Sequence, residues 1–229
     1  MSVLVIIPAR SGSKRIPRKN IKLFCGKPII DYSIKAALQS GCFDEVMVST
    51  EDSEIAGIAK TSGASVPFMR SKENSDDYSQ TADVIEEVLL QYKMLGKIFE
   101  FFCCIYPTAP FVTAEKLKKS YSLLAKSDAD AVIPIVSFSY PIQRALKIKN
   151  SMLSMIWPEN YNKRSNDLIP TYHDCGQFYW MRTESFLKQK MIYAKKSIPF
   201  EIPESEVQDI DNMKDWDIAE MKYRLINNI

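Results

Sequence analysis

The chain has 229 residues, of which 46% are hydrophobic and 25% are charged, and its formal net charge at pH 7 is +2. This length and composition are typical of one globular α/β domain, so we expect a single domain over residues 1–229. The nearly balanced charge gives no indication of nucleic-acid binding, no apolar run reaches the length of a membrane span, and without a signal peptide we expect a cytoplasmic protein.

The chain begins with an apolar run that predicts a buried strand leading into a basic loop. Val3 to Ile7 is short and β-branched, and residues 8–20 that follow, the basic loop, read PARSGSKRIPRKN. Small residues let backbone N–H groups approach a ligand, and the loop adds five cations, Arg10, Lys14, Arg15, Arg18 and Lys19. Loops at the carboxyl ends of strands are where α/β folds bind ligands, so this one is predicted to cradle a polyphosphate. Its single glycine, Gly12, excludes a P-loop and a dinucleotide fingerprint.

Strand and helix patterns then alternate along most of the chain. Helices are predicted over residues 28–40 and 53–62, from Thr81, and after an N-cap at Thr113, and strands over residues 46–49, 64–68, 99–105 and 131–136. Alternation of this kind predicts a mostly parallel sheet with helices on both faces, the Rossmann-like three-layer α/β/α class. Residues 137–172 break the pattern and are interpreted as an insertion, after which a strand, a helix, a strand near residues 198–202 and a closing helix follow.

Asp209-Ile210-Asp211, just before the closing helix, is the second pattern that indicates chemistry. Alternate residues of an extended segment point to the same side, so the two carboxylates can converge on one hard cation such as Mg²⁺. An aspartate at this position is equally typical of a helix N-cap. From the residues alone Asp211 therefore has two interpretations.

The basic loop resembles the nucleotide-binding signature of the cytidylyltransferases that activate nine-carbon sialic-type sugar acids, the CMP-sialic acid synthetase family. The matching residues are Pro8 to Lys14 and the Pro17-x-Lys19-Asn20 that follows. The resemblance extends along essentially the whole chain. It implies the nucleotide-diphospho-sugar transferase variant of the fold, a homodimer formed through residues 137–172 as a dimerisation arm, and an Asp-x-Asp motif that holds Mg²⁺.

The resemblance also implies a set of site residues. Lys19 and Asp211 are the expected catalytic residues, and Asp209 and Asp211 the expected metal ligands. Arg10, Lys14 and Lys19 are expected to hold the triphosphate of CTP. The full set of expected substrate-binding residues is Arg10, Ser13, Lys14, Asn20, Arg70, Ser79, Thr81, Tyr106, Thr108, Gln143, Arg144, His173, Asp174 and Gln177.

Two departures from the sialic-acid pattern resemble the pseudaminic-acid branch of the family. Tyr106 replaces a glutamine in the loop YPTAP, and residues 173–180 read HDCGQFYW where an Asn-Gly-Ala-like turn is usual. The implied reaction is CTP plus pseudaminic acid to CMP-pseudaminic acid and pyrophosphate. The alternatives are the same reaction on N-acetylneuraminate, legionaminate or 3-deoxy-manno-octulosonate, and a non-catalytic nucleotide-binding module, which the intact Asp-x-Asp disfavours. His173 is equally well explained as an ordinary surface histidine.

Overall fold

A computed structural model describes residues 2–229 of the chain. Within that range the strands are β1 Val3–Pro8, β2 Leu23–Phe24, β3 Lys27–Pro28, β4 Glu45–Ser49, β5 Phe101–Ile105, β6 Ala131–Ser137, β7 Leu146–Lys149, β8 Met152–Met155, β9 Tyr172–Asp174, β10 Phe178–Arg182 and β11 Ser197–Glu201. The α-helices are α1 Ile30–Ser40, α2 Ser53–Thr61, α3 Thr81–Met94, α4 Ala114–Ala125, α5 Thr183–Gln189 and α6 Met213–Asn227. No helix in residues 2–229 is long and apolar enough to cross a membrane.

The central sheet has seven strands in the order β11-β6-β10-β5-β1-β4, with β9 also paired to β6. Strand β1 runs parallel to β4 and β5, and β6 runs parallel to β11. Strand β10 lies antiparallel between β5 and β6, and β9 is antiparallel to β6. Five strands therefore point one way and two the other, which confirms the predicted mostly parallel sheet.

Strand β1 shows why the fold has three layers. Its residues alternate between two buried clusters, with Val5 and Ile7 on one face of the sheet and Leu4 and Ile6 on the other. Helices α1 and α4 cover the first face, while α3 and α5 cover the second. A strand buried on both faces must be apolar at every position, as the opening run of the sequence is.

Two sequence predictions need correction. Residues 64–68 do not form a strand, because their ladder is reduced to one bridge between Ser65 and Met47. The first helix begins at Ile30 rather than at residue 28, since Pro28 belongs to the short β2–β3 hairpin.

The predicted insertion, residues 137–172, leaves the main sheet after β6. Its strands β7 and β8 form a separate two-stranded sheet. This hairpin carries large apolar side chains in solvent, with Ile148 77% exposed, Met152 72% and Leu153 64%. Such a concentration of exposed apolar surface is unusual for a part of a chain that stays unpartnered.

Candidate active site

A cleft of about 500 Å³, the main cleft, opens where β1 and β5 end, between the basic loop and residues 70–81. The main cleft therefore lies at the carboxyl ends of parallel strands, where α/β sheets usually bind their ligands. The main cleft brings together eleven of the predicted site residues: Arg10, Ser13, Lys14, Lys19, Asn20, Arg70, Ser79, Thr81, Tyr106, Thr108 and Asp211.

The shape of the basic loop is fixed by hydrogen bonds to its backbone. The Glu51 carboxylate, just beyond β4, accepts from both the backbone N–H and the hydroxyl of Ser11, each at 2.7 Å. Asn20 is buried, and its side-chain amide donates to the carbonyl of Arg10 at 2.8 Å. Asn20, expected to bind substrate, therefore braces the loop that carries the cations.

Two of the loop cations meet one carboxylate across the main cleft. Arg10 Nη1 lies 3.0 Å from Asp77 Oδ1, and Lys14 pairs with the other oxygen. Arg10 also donates to the carbonyl oxygen of Asp76 at 2.6 Å. The hydrogen bond from Lys14, with the charge of Arg10, holds the pKa of Asp77 below its usual value. The loop cations thus converge tightly enough to bind a single anionic group.

Arg18 departs from the predicted cradle. Its backbone lies in the left-handed region, with φ +55°, and its guanidinium pairs with Asp52 and Glu54. Asp52 in turn caps α2, accepting from the backbone N–H groups of Glu54 and Ile55. Arg18 anchors the loop to that helix and does not line the main cleft.

Lys19 joins the basic loop to the Asp-x-Asp motif. Its Nζ donates to the carbonyl of Ile210 at 2.7 Å. Burial lowers the pKa of Lys19, and the charges of Asp211 and Asp209 oppose that shift. Burial also raises the pKa of Asp209, and the neighbouring Asp211 adds to it. One ammonium therefore faces two carboxylates that repel each other.

Asp211 is not the cap of the closing helix. The N-cap is Asn212, whose side chain accepts from the backbone N–H groups of Lys214 and Asp215. Asp215 completes the capping box by accepting from the N–H groups of Asp211 and Asn212. The helix-cap interpretation of Asp211 is therefore wrong, and its carboxylate faces the main cleft, where Oδ1 accepts from Arg15 Nη2 at 2.7 Å.

The two carboxylates of the motif line different cavities. Asp211 lines the main cleft, whereas Asp209 lines a neighbouring space of about 390 Å³, the second cavity, together with His173 and Asp174. In residues 2–229 no three or more Asp, Glu, His or Cys side chains are grouped as a metal site. Two carboxylates completed by substrate phosphates is nevertheless a donor set typical of Mg²⁺, so the residues present fit that ion.

Comparison with known proteins identifies the family of the chain. A family model described as cytidylyltransferase matches residues 4–207. The chain belongs to the cytidylyltransferase family. It is 40% identical over 226 residues to the pseudaminic acid cytidylyltransferase of Campylobacter jejuni, covering 98% of this chain and 97% of that protein. It is 32% identical over 229 residues to the CMP-N,N'-diacetyllegionaminic acid synthase of Legionella pneumophila, covering 98% and 97%.

A solved structure shares the fold. The CMP:2-keto-3-deoxy-manno-octonic acid synthetase complexed with CTP superposes with a TM-score of 0.68 over 100% of both chains, at 17% identity. The family identified from the basic loop and the fold class predicted from alternation are both confirmed.

Three residues expected at a cytidylyltransferase substrate site lie elsewhere in this chain. Gln143 and Arg144 bond within the insertion, to the carbonyls of Ile169 and Lys163. Gln177, in the short segment between β9 and β10, is only 2% exposed, and its amide donates to the carbonyl of Glu206 at 2.7 Å. Within one chain these side chains do not reach the main cleft.

Arg15 and Asp77 line the main cleft but were not among the predicted site residues, although Arg15 was counted in the basic loop. Glu51, which holds the basic loop through Ser11, was not among them either. Asp77 and Glu51 lie in loops that are distant from the basic loop in sequence, so no local pattern connects their side chains to it. Arg70 was predicted, yet it is buried and its Nε donates to Ser49 Oγ at 3.0 Å.

Proposed function

We propose that the protein transfers CMP from CTP to the anomeric hydroxyl of pseudaminic acid and releases pyrophosphate. The observation that carries this proposal is the convergence in one cleft of Arg10, Lys14, Lys19 and Asp211 beside the aromatic ring of Tyr106. The choice of sugar is supported by the 40% identity to the Campylobacter enzyme, which extends over nearly the whole of both chains.

The reaction brings two anions together, so its first requirement is positive charge. Arg10 and Lys14 bind the triphosphate by exchanging Asp77 for phosphate oxygens. Their ion pairs with Asp77 are solvent-exposed, since the Asp77 and Arg10 side chains are each 37% exposed, and exposed pairs are weak. The exchange therefore requires little free energy.

Lys19 is the residue best placed to act in the transition state. It is held against the Ile210 carbonyl and faces both carboxylates of the motif. Fixed cations inside a partly buried site stabilise developing charge more strongly than mobile surface cations do. Lys19 thus offsets negative charge growing on the phosphorus oxygens or on the leaving pyrophosphate.

Asp209 and Asp211 are the proposed ligands of Mg²⁺. When bound, the ion would neutralise charge at the phosphate and lower the pKa of the attacking hydroxyl. Burial, and to a smaller extent the charge of Asp211, raise the pKa of Asp209, and a cation bound by both carboxylates would offset their mutual repulsion.

Tyr106 supports the choice of the sugar acid. Pseudaminic acid carries acylamino groups and a terminal methyl where N-acetylneuraminate has more hydroxyls, so its site needs less polar lining. An aromatic face with one hydroxyl meets that need better than the glutamine that Tyr106 replaces. Legionaminate remains the nearest rival, because the Legionella relative is 32% identical over a similar span.

The insertion of residues 137–172 is the proposed dimerisation arm. Its exposed apolar hairpin, with Ile148 and Met152 mostly in solvent, becomes buried if a second copy covers it. Light scattering should give twice the mass of one chain, and an active monomer would refute the arm's role. The cytoplasmic location stays a prediction.

The deciding experiment measures pyrophosphate release from CTP and Mg²⁺ with each of four acids: pseudaminate, legionaminate, N-acetylneuraminate and 3-deoxy-manno-octulosonate. We expect pseudaminate to be favoured over N-acetylneuraminate by at least about a hundredfold in kcat/KM. Equal use of N-acetylneuraminate would overturn the choice of sugar. Binding of CTP without release from any acid would favour the non-catalytic module.

A further inference from the structure

Two tyrosines in contact, Tyr106 and Tyr179, connect the main cleft to Asp174. Tyr106 lines the main cleft, and Asp174 lines the second cavity. Tyr179, which is 2% exposed, contacts both of them. A change at Asp174 can therefore reach the main cleft through one buried ring.

Asp174 has both carboxylate oxygens committed inside the protein. Oδ1 accepts from the backbone N–H of Gly176 at 3.0 Å, and Oδ2 accepts from the Tyr179 hydroxyl at 2.5 Å. The ring of Tyr193 also lies near this group, with its centroid 6.5 Å from that of Tyr179. A carboxylate with its oxygens occupied in this way is better suited to anchoring neighbours than to contacting a sugar, the role expected for it from the sequence.

Tyr179 transmits this anchoring to Tyr106. The two rings pack edge to face, with centroids 5.5 Å apart and an interplanar angle of 67°. Because the hydroxyl of Tyr179 is held by Asp174, the Tyr179 ring restricts the positions open to the Tyr106 ring.

The remaining contacts of Tyr106 fix its backbone and its hydroxyl. Its N–H donates to the carbonyl of Gln177, and its own carbonyl accepts from the hydroxyl of Ser33, both at 2.8 Å. Its hydroxyl lies 3.2 Å from that of Thr81, at the start of α3. The Tyr106 ring itself packs against the apolar clusters on both faces of the sheet, and within residues 2–229 Tyr179 is the aromatic ring that contacts it.

We propose that Asp174 and Tyr179 are positioning residues that select the sugar acid by fixing Tyr106. This inference rests on the proposed function, in which Tyr106 contacts the sugar. Discrimination by a polar group requires that the group be held to within about 0.5 Å of its working position. Loosening Tyr106 should therefore weaken the preference for one sugar while leaving the nucleotide contacts of the basic loop unchanged.

The test compares Tyr179→Phe and Asp174→Asn with a matched control, Tyr92→Phe. Tyr92 is equally buried and also donates its hydroxyl to a carboxylate, Glu45 Oε1 at 2.6 Å, but it lies outside both cavities. The two tyrosine variants should lose similar stability, since each loses one buried hydrogen bond of the same kind.

Only the variants of Asp174 and Tyr179 should change the kinetics with the sugar acid. We expect Tyr179→Phe and Asp174→Asn to raise KM for the preferred sugar acid about fivefold to tenfold, the factor for one hydrogen bond. The KM for CTP should stay within about twofold of the unmodified value. The ratio of kcat/KM between pseudaminate and N-acetylneuraminate should fall by the same factor, and Tyr92→Phe should leave it unchanged.

A second measurement tests the positioning without the reaction. In protein with ring-labelled tyrosine, the Tyr106 resonance, assigned with Tyr106→Phe, should shift in the Tyr179 and Asp174 variants and not in Tyr92→Phe. An unmoved Tyr106 resonance, or a KM change for CTP as large as that for the sugar, would overturn the proposal. If the unmodified protein turns over none of the four acids, the proposed function fails and the selection role with it, while the resonance still decides whether the pair positions Tyr106.

Discussion

Asp211 and Asn212 are neighbours in the chain with different contacts, and substituting each should separate catalysis from folding. Asn212→Ala removes the side chain that accepts from two backbone N–H groups at the start of α6. Loss of such a cap typically costs about 1 kcal/mol. In a chain of this length that corresponds to a fall in Tm of roughly 2–4 °C.

Asp211→Asn should have the opposite profile. It leaves the backbone N–H of residue 211 bonded to Asp215, so the capping box survives. It loses the ion pair with Arg15, whose side chain is 67% exposed, and exposed pairs contribute about 1 kcal/mol at most. An amide is a poor ligand for a hard cation, so Mg²⁺-dependent turnover should fall by about a hundredfold or more.

Two assays on the same preparations separate these effects. In thermal melts without substrate, Asn212→Ala should have a lower Tm than Asp211→Asn. In the pyrophosphate assay, Asn212→Ala should have the higher turnover of the two. Asp209→Asn should behave like Asp211→Asn, because both carboxylates are proposed ligands. If Asp211→Asn melted as early as Asn212→Ala while keeping its turnover, the reasoning that separates the metal site from the cap would be wrong.

The remaining predictions concern the basic loop. Lys19→Ala should lower kcat far more than it weakens CTP binding, by about 2–4 kcal/mol in activation free energy, and near-normal kcat would remove it from the catalytic residues. Arg10→Ala should mainly raise the KM for CTP, whereas Asp77→Asn should lower it by removing a competing carboxylate; KM values that do not move in opposite directions would contradict the cradle. The hydrogen bond from Arg18 lowers the pKa of Asp52, so the stability it contributes is present above the unfolded pKa and is lost as pH falls through the lower folded value. Asp52→Asn keeps the helix cap and should reduce the loss of urea stability between about pH 5 and about pH 3, and an unchanged pH dependence would show that this ion pair does not matter.

The parts of the fold that were predictable have local signals. The hydrophobic periodicity of β1 and α4, with the polar residues at their ends, was sufficient to locate both elements in the sequence. The N-cap predicted at Thr113 for α4 is confirmed, because the Thr113 side chain accepts a hydrogen bond from the N–H of Lys116. Strand β10 had an equally clear apolar pattern, but its antiparallel direction was not predicted. Direction depends on how the insertion returns the chain to the sheet, and hydrophobic alternation contains no information about that path.

The site residues that belong to one short motif could be predicted from the sequence. The contacts between loops that are distant in sequence could not. The basic loop and the Asp-x-Asp motif carry their residues within short segments, which a sequence displays directly. The meeting of Lys14 with Asp77, and the turn of Arg18 away from the main cleft, depend on contacts between segments and on a positive φ at a non-glycine residue. Neither leaves a signal in local composition.

The residues that hold the shape of the site and the residues proposed to bind the ligand differ in how exposed they are. The groups that fix its shape are buried or bonded to backbone, such as Asn20 in the basic loop and the capping box at Asn212. The cations proposed to receive the triphosphate are instead paired with the exposed Asp77. Buried hydrogen bonds are costly to break, whereas exposed ion pairs are not. Under the proposed function, a triphosphate would therefore replace Asp77 on Arg10 without disturbing the backbone that positions Lys19, so that binding energy would be kept for the transition state.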